Sequence, residues 1–96
     1  MGADRLPAIE LLESTHNFPC RYLFKIIGAD EDDFTARVIS AVRVALEASV
    51  DPPHRLRRTS GGRHVSVTLE PVLRSAHEVL AVYRSLYDTD GVMMIL

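Results

Sequence analysis

The sequence predicts an α+β fold in which a four-stranded antiparallel sheet carries two helices on one face. Three observations lead there. Two segments, Phe34 to Ser49 and Ser75 to Tyr87, repeat apolar residues at helical spacing. Between them the pair Gly61-Gly62 precedes a strictly alternating run, with Val65, Val67 and Leu69 on one face and His64, Ser66 and Thr68 on the other. Strand-like runs, Arg21 to Ile27 and Val92 to Leu96, flank the helices. The order is βαββαβ, and right-handed crossovers then give the ferredoxin-like arrangement. Its first and third strands take the centre, which leaves the second on an edge.

Residues 1–20 read as an N-terminal arm and residues 21–96 as a single domain. In the arm, Pro7 opens a short helix through Leu12 that carries Leu6, Ile9, Leu11 and Leu12. Asn17 and Pro19 end regular structure. The run Arg21-Tyr-Leu-Phe-Lys-Ile-Ile27 is apolar on both faces except at Lys25, as a central strand is, and Gly28 stops it. Asp30 is placed to cap the first helix, with Glu31, Asp32 and Asp33 in the first turn where the helix dipole favours negative charge. Phe34, Val38, Val42, Ala45 and Ser49 form the buried stripe, and Ile39 and Leu46 widen it. Asp51-Pro52-Pro53 ends the helix, which predicts a run to residue 49.

His54 to Thr59 has Leu56 as its one large apolar residue, which suits an edge strand guarded by arginines. The glycine turn follows, then a strand over 63–69. The second helix has two candidate starts. Pro71 suits a first turn. Ser75 with Glu78 spells a capping box and is the preferred start, with a loose turn at 71–74. Ala76, Leu80, Tyr83 and Tyr87 make its buried stripe, beside Val79 and Leu86. Asp88-Thr89-Asp90-Gly91 is turn chemistry, and Val92 to Leu96 is the last strand.

Ninety-six residues make one domain, and an apolar fraction of 47% excludes a disordered chain. Eleven basic and 13 acidic side chains leave a net charge of −2, so no overall field draws in nucleic acid or anionic lipid. A single cysteine, Cys20, rules out an internal disulfide and fits a reducing compartment. Asp4, Arg5, Pro7 and Glu10 interrupt the apolar core that a secretory leader needs, and no apolar run reaches membrane-spanning length. A cytoplasmic protein is expected.

Phe18-Pro19-Cys20-x-Tyr22-x-Phe24-Lys25-Ile26-Ile27-Gly28 resembles the start of the small bacterial YbeD-like family. Ser60-x-Gly62-x-His64-x-Ser66-Val67-Thr68 resembles that family's hairpin, and the terminal Gly91-Val-Met-Met-Ile-Leu96 its last strand. Leu11-Leu12-Glu13 resembles the segment ahead of its Phe-Pro, so the likeness spans residues 10–96. Three features depart from the pattern. His64 stands where an aromatic, usually tyrosine, is expected. Ser14 to Asn17 looks like an insertion, and the segment before Ser75 is slightly long. The resemblance implies a ferredoxin-like fold similar to ACT-type regulatory domains, which bind small effectors. It also implies a lipoate-related regulatory role. No residue here specifies that ligand, and a fold alone does not give a function.

The residues offer little catalytic chemistry. Cys20 and the histidines His16, His54, His64 and His77 show no paired-ligand spacing and no nucleophile triad. No enzyme activity, metal or cofactor is expected. Gly61 and Gly62 feed a strand rather than a helix, so they read as a hairpin and not a phosphate loop. Gly28 is read as joining a strand to a helix N-terminus. The resemblance makes that an effector loop, although the acids Glu31 to Asp33 oppose an anion there.

The open sheet face is the stronger candidate. His64, Ser66 and Thr68 lie on it and read first as a solvated strand face, then as a polar rim around a ligand or subunit contact, which Lys25 joins from the neighbouring strand to hold a carboxylate. Arg55 and Arg57 share one face of the edge strand and Arg58 takes the other. They read first as guards against strand pairing, then as a dock for an acidic partner. RNA binding on such a sheet needs exposed aromatics on the central strands. Tyr22 and Phe24 are expected toward the helices, so no nucleic acid is expected. Leu23 and Ile27, with some of Met93 and Ile95, project from the bare side, where clustered apolar residues mark an interface. Either the arm or a second subunit would cover them, and a symmetric homodimer is the commonest solution. The sequence therefore predicts a regulatory or ligand-binding domain that acts by binding a small effector. The alternative is a protein-interaction module using the open face or the arginine-rich edge.

Overall fold

The structure is a computed structural model and describes residues 6–96. Its elements are α1 (Ile9–Thr15), β1 (Cys20–Arg21), β2 (Phe24–Ala29), α2 (Phe34–Leu46), β3 (His54–Arg58), β4 (His64–Leu69), β5 (Val72–Leu73), α3 (Ala76–Tyr87) and β6 (Val92–Ile95). Four strands form one antiparallel sheet in the order β3-β4-β2-β6. The class is α+β, and the sheet with α2 and α3 is compatible with a ferredoxin-like fold. The polar strand β3 lies on an edge, as its composition requires, and β4 and β2 take the centre.

One core lies between sheet and helices. The sheet supplies Phe24, Ile26, Val65, Val67 and Leu69, and the helices supply Phe34, Val38, Val42, Val79, Val82 and Leu86. Each such side chain taken out of water contributes about 1.5–3 kcal/mol before conformational entropy is set against it. The hairpin turns at Gly62, whose φ of +70° suits glycine; its amide donates to the Thr59 carbonyl at 2.9 Å.

Several boundaries differ from those expected. The run at 21–27 is not one strand. Cys20–Arg21 pairs with Val72–Leu73 in a separate two-stranded sheet, so the middle of the expected turn at 71–74 is a short strand. Two-residue strands carry no periodicity to read, although fully buried Leu73 anchors this one. Strand β2 starts at Phe24 and continues through Gly28 to Ala29, because its ladder to β4 extends through Gly28 opposite Val65 and Ala29 opposite His64.

Helix α2 starts at Phe34, not near Asp30. Asp32 and Asp33 take left-handed φ values of 54° and 56°, and no side chain caps the helix. The Asp30 carboxylate instead accepts from Arg58 Nε at 2.6 Å. Arg37 secures the irregular turn: its guanidinium donates to the Asp32 carbonyl at 2.9 Å and to the Asp90 carbonyl. The helix ends at Leu46, where Glu47 turns left-handed, so Ser49 falls outside it.

Helix α3 starts as the capping box requires. Ser75 Oγ accepts from the Glu78 amide at 3.2 Å. The Glu78 carboxylate reaches one residue further back than the motif's usual partner, accepting from the Arg74 amide at 2.7 Å and from its guanidinium at 2.6 Å. The buried stripe includes Val82, while Tyr87 is only half-buried. Arg74 holds the Glu78 carboxyl below the usual carboxylate range, mainly by their side-chain hydrogen bond. A depressed folded-state pKa contributes stability above the unfolded value and loses it as pH falls through the folded one. The stability difference between the native chain and E78Q is therefore expected at neutral pH, should begin to shrink as pH drops through about 4, near the unfolded glutamate value, and should vanish only below the lower folded-state value. Urea denaturation at a series of pH values checks this.

Helix α1 begins two residues after Pro7 and runs past Leu12 to Thr15. Leu12 is buried and Leu6 and Ile9 pack on the core, so the described part of the arm docks on the domain. A chain of rings continues the contact. His16 lies 5.1 Å from Tyr22, Tyr22 lies 4.9 Å from Phe24, and Phe24 lies 5.1 Å from Tyr83. The first five residues of the arm, including Asp4 and Arg5, lie outside the described residues.

Candidate functional site

The register of the sheet assembles its open face. Arg55, Thr68 and Lys25 stand in one row across β3, β4 and β2. Arg57, Ser66, Ile27 and Met94 stand in the next, and His64 lies opposite Ala29 in a third. Side chains alternate along a strand, so all of these project opposite to the buried Val65, Val67 and Leu69. The predicted set Lys25, His64, Ser66, Arg55 and Arg57 is therefore brought together on one face.

Ser66, Thr68, Lys25 and His64 are half-buried there, whereas Arg55 and Arg57 are exposed. Arg55 pairs with Glu70 at 3.2 Å. So exposed a pair is worth about 0–1 kcal/mol and leaves Arg55 available. Lys25 and Arg57 make no ion pair among the described residues. Neighbouring cations with two hydroxyl groups form a surface that attracts carboxylates.

The β6 side of the same face is apolar. Leu23, Met93, Met94 and Leu96 are all at least half exposed. Of the two residues expected in part on this side, Met93 is there and Ile95 is not. Ile95 stands opposite Ile26 and packs on the core, while Met94 stands opposite Ile27 on the open side. The register shift between Ile27 and Gly28 puts Val92 and Ile95 inward and both methionines outward. Strict alternation cannot foresee a bulge.

Gly28 does not belong to this surface in the way expected. It lies inside β2, not in a loop feeding a helix N-terminus, and it is a point of close approach. A Cβ at this position would come within 2.5 Å of the Gly91 carbonyl oxygen and 2.6 Å of Phe34 Cε1. The effector-loop geometry on which its candidacy stood is absent.

A hollow of about 740 Å³ lies off the open face, between α2 and the outer edge of β3. Ile39 and Leu56 supply its apolar floor, and Asp30, Arg43, Asp51 and Arg58 stand around it. Arg43 is ion-paired to Asp51 at 3.4 Å and Arg58 to Asp30 at 2.6 Å. Thr35 Oγ1 and Arg43 Nε, on the same wall, have no hydrogen-bond partner among the described residues. The sequence reading missed this groove. Its signals were Ile39, which widens the helix stripe toward the β3 side, and Leu56, the lone apolar residue of its strand. Among the described residues no three His, Cys, Asp or Glu side chains converge to hold a metal ion. No helix of the described residues is long and apolar enough to cross a membrane.

Fold and face together define a small α+β domain with one side of its sheet left bare and half of that side cationic. The chain belongs to the family described as protein of unknown function DUF493, whose model matches residues 13–96. This agrees with the YbeD-like resemblance carried by the hairpin and the Phe18–Gly28 motif. It is 33% identical over 79 residues to a UPF0250 protein of Chromobacterium violaceum, covering 82% of this chain and 89% of that one. It is 27% identical over 85 residues to a UPF0250 protein of Haemophilus ducreyi, covering 88% and 86%. A third relative, UPF0250 protein NE1487 of Nitrosomonas europaea, is 29% identical over 84 residues, covering 88% and 97%.

Proposed function

We propose that this chain is a non-catalytic binding domain that docks an acidic protein partner on its open sheet face. The carrying observation is the division of that face, with Lys25, Arg55 and Arg57 around Ser66 and Thr68 on one half and exposed Leu23, Met93 and Met94 on the other. Apolar area beside cations suits a segment that brings both carboxylates and apolar side chains. Two sizeable hollows among the described residues lie away from this face, which favours a broad partner over a small ligand. The single Cys20 accords with work in the cytoplasm.

A second reading keeps a small amphiphilic carboxylic acid, such as lipoate, as a regulatory effector. The row Arg57, Ser66, Ile27, Met94 favours it, because it runs from cation to apolar side chain within one ligand's reach.

The test is affinity capture from a bacterial lysate with the native chain, R57E and M94E, all three first checked for folding. A protein retained by the native chain and released by both variants is the expected result. Equal retention by all three removes the open face from the reading. Lipoate is tested beside it by thermal shift; a rise in the native chain that R57E abolishes moves the assignment to the effector. Light scattering on the same samples addresses the homodimer, since a dimer broken by M94E would give the apolar half to a second copy.

A further inference from the structure

We propose that the outer edge of β3 accepts an extended segment of a partner protein as a fifth strand, and that this segment carries acidic side chains on its open-face side. The inference rests on the reading of the open face as a cationic recognition surface and specifies how a partner would engage it.

Among the described residues strand β3 is bonded on one side only, to β4, and all five of its residues are exposed. The parity of its ladder is set at both ends. The Thr59 amide donates to the His64 carbonyl at 3.0 Å, and the Glu70 amide donates to the Pro53 carbonyl at 3.0 Å. Antiparallel ladders bond every second residue. Arg55 and Arg57 therefore turn their backbone groups toward β4, while the N–H and C=O groups of His54, Leu56 and Arg58 point away from the sheet. These groups form a template for strand addition.

The side chains select what pairs there. A new strand would set alternate residues beside Arg55 and Arg57 on the open face. Its remaining residues would enter the groove floored by Leu56, itself 42% exposed, and Ile39. A second copy of this chain fits poorly. Antiparallel self-pairing centred on Leu56 sets Arg57 against Arg55 of the copy twice over, and like charges directly opposite are destabilising. The arginines thus exclude β3 itself and admit a strand whose open-face residues are aspartate or glutamate. Two of the acids around the groove, Asp30 and Asp51, are already matched by Arg58 and Arg43, so its floor remains apolar in character.

The probe is the blocked peptide Glu-Val-Glu-Val-Glu-Val, with Lys-Val-Lys-Val-Lys-Val as control, titrated into the full chain and followed by amide NMR. Expected is slowed hydrogen exchange at the Leu56 and Arg58 amides with the glutamate peptide and none with the lysine peptide. R57E should weaken binding about tenfold, the combined effect of reversing close cross-strand charge contacts. Leu56→Pro removes an N–H that bonds nothing within the sheet, a change an edge strand tolerates, and should abolish binding while Leu56→Val retains it. N-methylation of the peptide's own backbone should also abolish binding, without touching the protein. Equal binding to the native chain and L56P, or unchanged exchange at Leu56 and Arg58, overturns strand addition. If capture of a lysate protein still depends on Arg57 and Met94 in that case, docking on the open face stands; if it depends on neither, both readings fall.

Discussion

Gly28→Ala is expected to cost about 3 kcal/mol, near the upper end for overpacking a core. In a domain of this size that lowers the melting temperature by roughly 15 °C. The added Cβ has no room, because the Phe34 ring and the Gly91 carbonyl oxygen both stand inside contact distance. The ring can turn away at some cost, but the carbonyl belongs to the turn into β6 and cannot. Phe34→Leu in the G28A background should therefore recover only part of the loss. Gly61→Ala is the control: nothing lies within 4 Å of a Cβ there, and its stability should match that of the native chain. Thermal and urea denaturation of the four proteins decide the matter. If G28A behaves like G61A, the close approach does not constrain β2.

Phe24→Ala should be at least as damaging, at about 3–5 kcal/mol for deleting a buried phenylalanine. Total stability in a small domain is about 5–15 kcal/mol, so the variant sits near the threshold of folding. Phe24 is fully buried at the start of β2 and touches the rings of Tyr22 and Tyr83. Burial, followed by the contact with the Tyr22 hydroxyl at 3.4 Å, holds the Tyr83 phenol well above its ordinary pKa. Removing Phe24 opens this site to water. Tyr83 should then ionise closer to the usual phenol range, read by absorbance titration, and near-ultraviolet circular dichroism of the tyrosines should weaken. Exchange should also quicken at the His16 end of α1, which is tied to Phe24 through Tyr22. An F24A chain with native denaturation and tyrosine spectra would mean that this cluster does not bind the arm to the domain.

Most of the open face was legible because parity is a local property. Once His64, Ser66 and Thr68 alternate against buried valines, and Lys25 and the arginines lie on neighbouring antiparallel strands, their shared side follows from the period of two. The same rule failed at Met94 and Ile95, where a bulge inserts one residue and exchanges inside for outside. It was also silent on the groove beside β3, whose walls come from a helix and a strand separated in the chain.

Local patterns in the chain are enough to place the two long helices and the four strands of the main sheet in order, and to show the glycine hairpin, the Ser75 cap and the edge position of the arginine strand. Each depends on residues within a few positions of one another: a repeat, a turn signal, a capping pair, a strand too polar for the centre. The tertiary structure alone decided that Gly28 is a packing constraint inside β2, that Cys20–Arg21 pairs with Val72–Leu73, and that Asp30 binds Arg58 rather than capping α2. It also decided which backbone groups of β3 face outward. These are contacts between distant segments, and they follow from how the layers meet, which no local pattern in the chain encodes.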